Sequence, residues 1–331
     1  MSVGHALPAG GLTLARWLGP WADATRAPDV AIADRTVAGV RVRVYGTSGT
    51  PYYIAPGLHY AGPDDPRMDR FCRILAAAGH HVAAPFIPSY LALTPDARAI
   101  RDFIDVFDAI DFAEPPVVFS ISFGSLLAFA LAAARPDAVR RLVIFGGYAD
   151  FHATMRYCLT GEGRDPLNQS VVLMNLLPLL ASPEDVSPYW RAFCERTWGR
   201  PELKARDRFV PIAEELAAQV PEPIRELFRI GVGAAPGAWD LAEPALARFD
   251  ASTLDPRPHT ERVTCRVDLV HGADDDVIPY TQSHALAQLL PNADVRTHIT
   301  GMYGHTGAHR PPLRLLAKEM VTMVRVLFAM S

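Results

Sequence analysis

The chain has 331 residues, 50% of them hydrophobic and 21% charged, with a formal net charge of −4. That composition supports a well-buried globular core and excludes a disordered chain, and the mild negative balance excludes a global basic field that would hold nucleic acid. All but two of the 32 basic residues are arginines, scattered rather than clustered. The four cysteines, Cys72, Cys158, Cys194 and Cys265, lie far apart with no CxxC pair. No metal or redox spacing exists among them, and so few thiols predict a reducing, cytoplasmic compartment. Met1–Gly10 lacks a basic n-region and no apolar h-region follows it, so no signal peptide is expected. Residues 115–134 carry no charge and imitate a membrane span, but Ser120, Ser122, Gly124 and Ser125 interrupt them. A buried strand turning into a buried helix accounts for the stretch, and no membrane association is expected.

In chain order, Val40–Tyr45 alternates with period two and predicts a half-exposed strand. Tyr52–Ala55 is a second strand, ending at Pro56-Gly57. Pro66–Ala78 has apolar residues at helical spacing, with Asp64-Asp65 where a cap belongs and Gly79 behind it. A strand at His81–Ala84 and a helix at Asp96–Ile110 follow. Then come a β-branched strand at Val117–Ile121, a helix at Leu126–Ala134 and a strand at Leu142–Phe145. Such alternation predicts a parallel sheet with helices on both faces, because each crossover packs a helix back onto the sheet. The rhythm stops after Asp150. It resumes with a strand at Val267–His271, a helix at Thr281–Leu290, a strand at Asp294–His298 and a helix at Pro312–Met330. The organisation expected is an α/β core built from 1–150 and 261–331, with 1–28 as an N-terminal extension. A mainly helical cap over 151–260 interrupts it.

Three loops carry candidate chemistry. Ser120-Ile121-Ser122-Phe123-Gly124 spans a strand-to-helix junction. A nucleophile on so tight a turn needs small residues two before and two after it, and the helix that follows points its positive end at the site. His271-Gly272-Ala273-Asp274-Asp275 follows a strand, and Asp275, with Asp274 as its rival, falls where open α/β sheets place their sites. Gly301-Met302-Tyr303-Gly304-His305 follows the last strand. There His305, with His309 as the alternative, can serve as general base and then general acid.

Two other patterns carry less. His59-x₄-Asp64 matches an acyltransferase spacing at a level that chance explains. Gly231-Val232-Gly233-Ala234-Ala235-Pro236-Gly237 is too long for a dinucleotide loop and lacks a preceding strand, so it reads as a turn in the cap. No cofactor and no metal are expected.

The order Ser122, Asp275, His305, each after a separate strand, resembles the α/β-hydrolase fold superfamily. The resemblance covers about residues 30–150 and 260–331. It implies a mostly parallel central sheet of about eight strands flanked by helices, with the intervening segment as the family's variable cap. It also implies Ser122 as nucleophile, His305 as base and Asp275 as its orienting acid, with the backbone N–H groups of Leu58 and Phe123 as oxyanion hole. The sequence departs from the common pattern at Pro56-Gly57, where His-Gly is usual, and at Pro85–Tyr90, where many relatives carry Asp-x-x-Gly-x-Gly-x-Ser. Fold relatives that cleave epoxides or haloalkanes carry a carboxylate at the elbow. Serine here points to acyl transfer.

The apolar run Val171–Leu180 packs on the core or covers a pocket, and Trp190, Trp198, Phe209 and Trp239 share that ambiguity. His59, Met174, Leu177 and Met302 are the residues expected to line the pocket. The expected function is hydrolysis of a small to medium hydrophobic carboxylic ester. An acyltransferase or thioesterase with the same triad is the first alternative, and a non-catalytic protein that holds a small ligand on this fold is the second.

Overall fold

The computed structural model describes residues 9–19, 22–180 and 185–302, together with 319, 322, 324–326 and 330. The chain enters through helix α1 (Ala9–Leu18) and a hairpin of β1 (Ile32–Val37) and β2 (Val40–Tyr45). Ala38 and Gly39 turn that hairpin with φ of 47° and 80°, the left-handed pair that matches the twist of two-residue β-hairpins. Strand β1 was not foreseen. It lies at the sheet edge with nearly every side chain exposed, so its sequence carries no apolar alternation. Asp34 ties it to β2 through Arg41 and Arg43 at 2.9 and 2.8 Å.

The alternation expected then follows: β3 (Thr50–Ala55), α2 (Pro66–Ala77), β4 (His80–Pro85), α3 (Pro88–Leu91), α4 (Ala97–Ala109), β5 (Val117–Ile121), α5 (Gly124–Ala134) and β6 (Arg141–Phe145). The described chain is helical from there to β7 (Arg266–Gly272), through α6 (Phe151–Thr160), α7 (Gln169–Leu176), α8 (Ser187–Thr197), α9 (Arg206–Ala217), α10 (Glu222–Gly231), α11 (Ala238–Leu246) and α12 (Arg257–Thr260). Helix α13 (Thr281–Gln288) and β8 (Val295–Thr300) complete it. The helix expected over 312–330 falls mostly outside the described residues.

The eight strands form one sheet in the order β1-β2-β4-β3-β5-β6-β7-β8. Strand β2 runs antiparallel to both neighbours, and from β4 through β8 all pairings are parallel. A parallel sheet must be covered on both faces. One face carries Val118, Leu142 and Leu269 against Phe103 of α4 and Leu127 of α5; the other carries Tyr52, Ile54 and Val270 with Cys72 and Leu75 of α2. Every residue of α5 from Gly124 to Ala133 is buried, which is why this segment reads like a membrane span. No helix among the described residues is long and apolar enough to cross a membrane.

The register fixes the geometry of the site. Ala55, Ser120, Ile144 and Leu269 lie abreast across β3, β5, β6 and β7, and Gly272 lies opposite Thr300 of β8. The loops that follow these strands therefore leave from one rim.

Candidate active site

Strand β5 passes into α5 through Ser122, whose φ of 54° is one of three positive values among the described non-glycine residues. The conformation is held by its neighbours: the Ser122 N–H donates to Phe145 O at 2.8 Å and Ser122 O accepts from Ser125 N at 3.0 Å. Gly124 is obligatory. A Cβ there would lie 2.2 Å from Ala55 O and 2.7 Å from Pro56 O, because the chain leaving β3 crosses directly over the helix start. Ser120 is fully buried and its hydroxyl has no hydrogen-bond partner among the described residues, so that position is filled for size rather than for bonding.

The loop after β3 closes against the same turn. A Cβ on Gly57 would stand 3.2 Å from Ile121 O and 3.6 Å from the Cβ of Ser122. Neither the Leu58 nor the Phe123 backbone N–H is engaged by another described residue. Pro56-Gly57 thus brings its backbone to the elbow without the usual histidine. The departure after β4 also finds an explanation. Tyr90, fully buried on α3, donates its hydroxyl to Phe123 O at 3.0 Å and braces the elbow from behind. A buried phenol on so short a helix gives no sequence signal beyond its polar tip.

In the loop after β7 the two aspartates part. Asp274 is exposed, whereas the carboxylate of Asp275 is buried, its Oδ1 accepting from Val277 N at 2.9 Å and Ile278 N at 2.8 Å. Its Oδ2 lies 3.4 Å from Nε2 of His271, which bonds Ile278 O and, through Nδ1, the Ser283 hydroxyl, each at 2.7 Å. His305 and its alternative His309 lie outside the described residues. What the structure does give is the start of their loop: Glu319 Oε2 accepts from the Thr300 hydroxyl at 2.7 Å and from Gly301 N at 3.0 Å.

A cavity of about 400 Å³ opens beside Ser122. Leu58, His59 and Phe123 border it from the core, and Phe151, Met155, Cys158, Val171, Val172, Asn175 and Trp198 from the helical segment. Of the expected pocket residues, only His59 is among its lining. Met174, Leu177 and Met302 are not. Val171, Val172 and Asn175 share the cavity face of α7, while Met174 is buried in the core and Leu177, just past the end of α7, packs against that core. Met302 is buried in the other hydrophobic cluster.

Asn175 and Trp198 are fixed by their own bonds. Asn175 Nδ2 donates to Leu93 O and Val171 O, and Trp198 Nε1 to Leu167 O. Trp190 is instead a core residue, with Gly231 of α10 laid directly on its indole ring.

His59 interacts with Asp65 rather than Asp64, at 3.3 Å, and accepts from Ala61 N at its Nδ1. Burial pushes its pKa down to about 4, with the opposing attraction of Asp65 too weak to restore it. Asp65 itself is held below the carboxylate range: burial raises it, but the guanidinium of Arg67 outweighs burial. Among the described residues no group of three or more His, Cys, Asp or Glu is arranged to hold a metal ion.

No family model matches the chain. A 2-hydroxymuconate semialdehyde hydrolase from Pseudomonas putida is 29% identical over 212 residues, covering 63% of this chain and 62% of that protein, so the match spans less than two thirds of its length. A second protein of that name, from Pseudomonas sp. (strain CF600), is 26% identical over 283 residues, covering 81% of this chain and 85% of that protein. Among solved structures, a meta-cleavage product hydrolase from Pseudomonas fluorescens IP01 covers 90% of this chain and 96% of its own, at 17% identity and a TM-score of 0.44. Strand order and the reversal at β2 identify the fold: the chain has the α/β-hydrolase fold, and both sequence relatives bear the name of a hydrolase.

Proposed function

We propose that the protein is a serine-dependent hydrolase of carboxylic esters, with Ser122 as nucleophile, His305 as general base and Asp275 as the acid that orients it. One observation carries the reading. Ser122 sits in a left-handed conformation at the wall of a largely apolar cavity, with the unengaged N–H groups of Leu58 and Phe123 beside it. Backbone strain of this kind is kept only where surrounding structure enforces it, and Gly124, Phe145 and Ala55 do so here.

In the reaction the Ser122 hydroxyl gives its proton to His305 as its oxygen attacks the ester carbonyl. The oxyanion that forms is held by the two N–H groups, each typically contributing about 10²–10³ in rate. Collapse expels the alcohol, which takes the proton from His305. Water, deprotonated by the same imidazole, then releases the acid from Ser122. The buried Asp275, already fixed by two backbone donors, is preorganised for the histidine.

Hydrolysis of a carbon–carbon bond next to a carbonyl is the second reading, favoured by the name both sequence relatives bear. The test is one panel of short p-nitrophenyl esters, acyl thioesters and 2-hydroxymuconate semialdehyde, with product analysis in added alcohol to expose acyl transfer. Wild type should cleave the esters and be labelled by a fluorophosphonate at Ser122. Full turnover by Ser122→Ala sinks the assignment, and an unlabelled, inactive wild type favours a ligand-binding role.

A further inference from the structure

Lys204 is one of only two lysines in a chain that otherwise uses arginine. It ends a short 3₁₀ turn, Pro201–Leu203, within the helical segment. Its ammonium stands between two carboxylates, 3.0 Å from Asp165 Oδ2 and in close contact with Asp276 Oδ2. Asp165 belongs to the helical segment and lines the cavity. Asp276 belongs to the core loop and directly follows Asp275.

Three more bonds join the same two parts. The Asp165 N–H donates to Asp276 O at 2.7 Å, the Cys158 thiol to Val277 O at 3.4 Å, and the Tyr157 hydroxyl to Asp275 O at 3.5 Å. From the sheet side, His271 holds Ile278 O. The loop that carries Asp275 is therefore gripped from both directions, and Lys204 is the cation in that grip.

The choice of lysine has a physical reason. A compact ammonium with three rotatable donors fits between two facing carboxylates, where a planar guanidinium fork would have to commit to one of them. The Asp165 carboxylate is 4% exposed and that of Asp276 22%, so the charges are only partly screened. Without the ammonium, two carboxylates would confront each other at the base of the acid loop. Burial already raises the pKa of Asp165.

We propose that Lys204 is a positioning residue that locks the helical segment onto the loop of Asp275, coupling closure over the cavity to placement of the catalytic acid. The inference rests on the triad assigned above. When the segment lifts to admit substrate, the Lys204–Asp276 pair breaks and the acid loop loses one wall; when it reseats, the pair restores the acid's position.

The experiment compares Lys204→Met, Lys204→Arg and Asp276→Asn in the full chain. The last variant leaves a neutral Lys204–Asp165 pair and removes only the ionic link between the two parts, so it answers the question if Lys204→Met fails to fold. Three quantities are read: kcat and KM on the ester that wild type cleaves, amide hydrogen exchange at Val277 and Ile278, and Tm. The expected result for Lys204→Met and Asp276→Asn is a kcat about tenfold or more lower at little-changed KM, with faster exchange at both amides. Lys204→Arg should recover part of the loss. Unchanged exchange at Val277 and Ile278, or a lowered Tm with unchanged kcat, overturns the proposal. The exchange arm needs no turnover, so an inactive wild type would defeat the triad reading while the amides still decide whether Lys204 holds the loop.

Discussion

The phenol of Tyr90 donates to the carbonyl of Phe123 at 3.0 Å, joining the short helix after β4 to the residue that follows Ser122. Both residues are buried, and the carbonyl accepts a second bond from Leu126 N at 3.3 Å. Tyr90→Phe should lower stability by about 0.5–1.5 kcal/mol, the net contribution of one buried hydrogen bond. It should also reduce kcat several-fold, because the Phe123 N–H belongs to the same elbow. Urea unfolding and steady-state kinetics on the variant check both, and unchanged kcat would show that the brace is structural only.

The two neighbouring aspartates should differ sharply. Asp275→Asn keeps the shape but weakens the two backbone bonds and presents an amide to the base; kcat should fall by about 10³–10⁴. Asp274→Asn alters an exposed side chain and should stay within about twofold of wild type. Equal losses in both variants would remove the assignment of Asp275.

Gly124→Ala should fail for steric reasons alone. Its methyl would be forced to 2.2 Å from Ala55 O, a backbone atom of a central strand that cannot yield without opening the sheet. A destabilisation of about 3 kcal/mol or more is expected, with loss of activity in whatever folds. Calorimetry of the purified variant is the measurement.

Acid should destabilise the protein before its carboxylates titrate. Burial pushes the pKa of both His59 and His80 down to about 4, so the unfolded chain binds these protons near 6.5 and the folded chain does not. Each contribution is therefore fully present above about pH 6.5 and is lost as pH falls toward 4, with a ceiling of about 3 kcal/mol apiece. Neither ring nitrogen of His80 has a hydrogen-bond partner among the described residues, and its ring lies 4.7 Å from that of Tyr52. His80→Phe should preserve the packing and flatten the fall in urea-unfolding free energy between pH 7.5 and 5. An unchanged slope would refute the assignment.

Much of this was readable in advance because it depends on local chemistry. The period-two run at Val40–Tyr45, the β-branched strand at Val117–Ile121 and the capped helix after Asp65 are each specified by neighbours in sequence, and the alternation of such elements dictates a parallel sheet. The small residues around Ser122 announced a tight turn. The sequence alone thus determined the fold class and placed Ser122 on a tight strand-to-helix turn.

Tertiary structure decided what depends on distant partners. Whether Asp274 or Asp275 is buried turns on which way one loop folds over His271, and local spacing is the same for both. Whether Met174 or Asn175 meets the cavity turns on the rotation of α7 about its axis, and a helix whose apolar and polar residues form no distinct stripe does not declare its facing. Lys204 reaches Asp276 across 72 residues of chain, a pairing no pattern of neighbours records, because a salt bridge constrains only the positions of its ends.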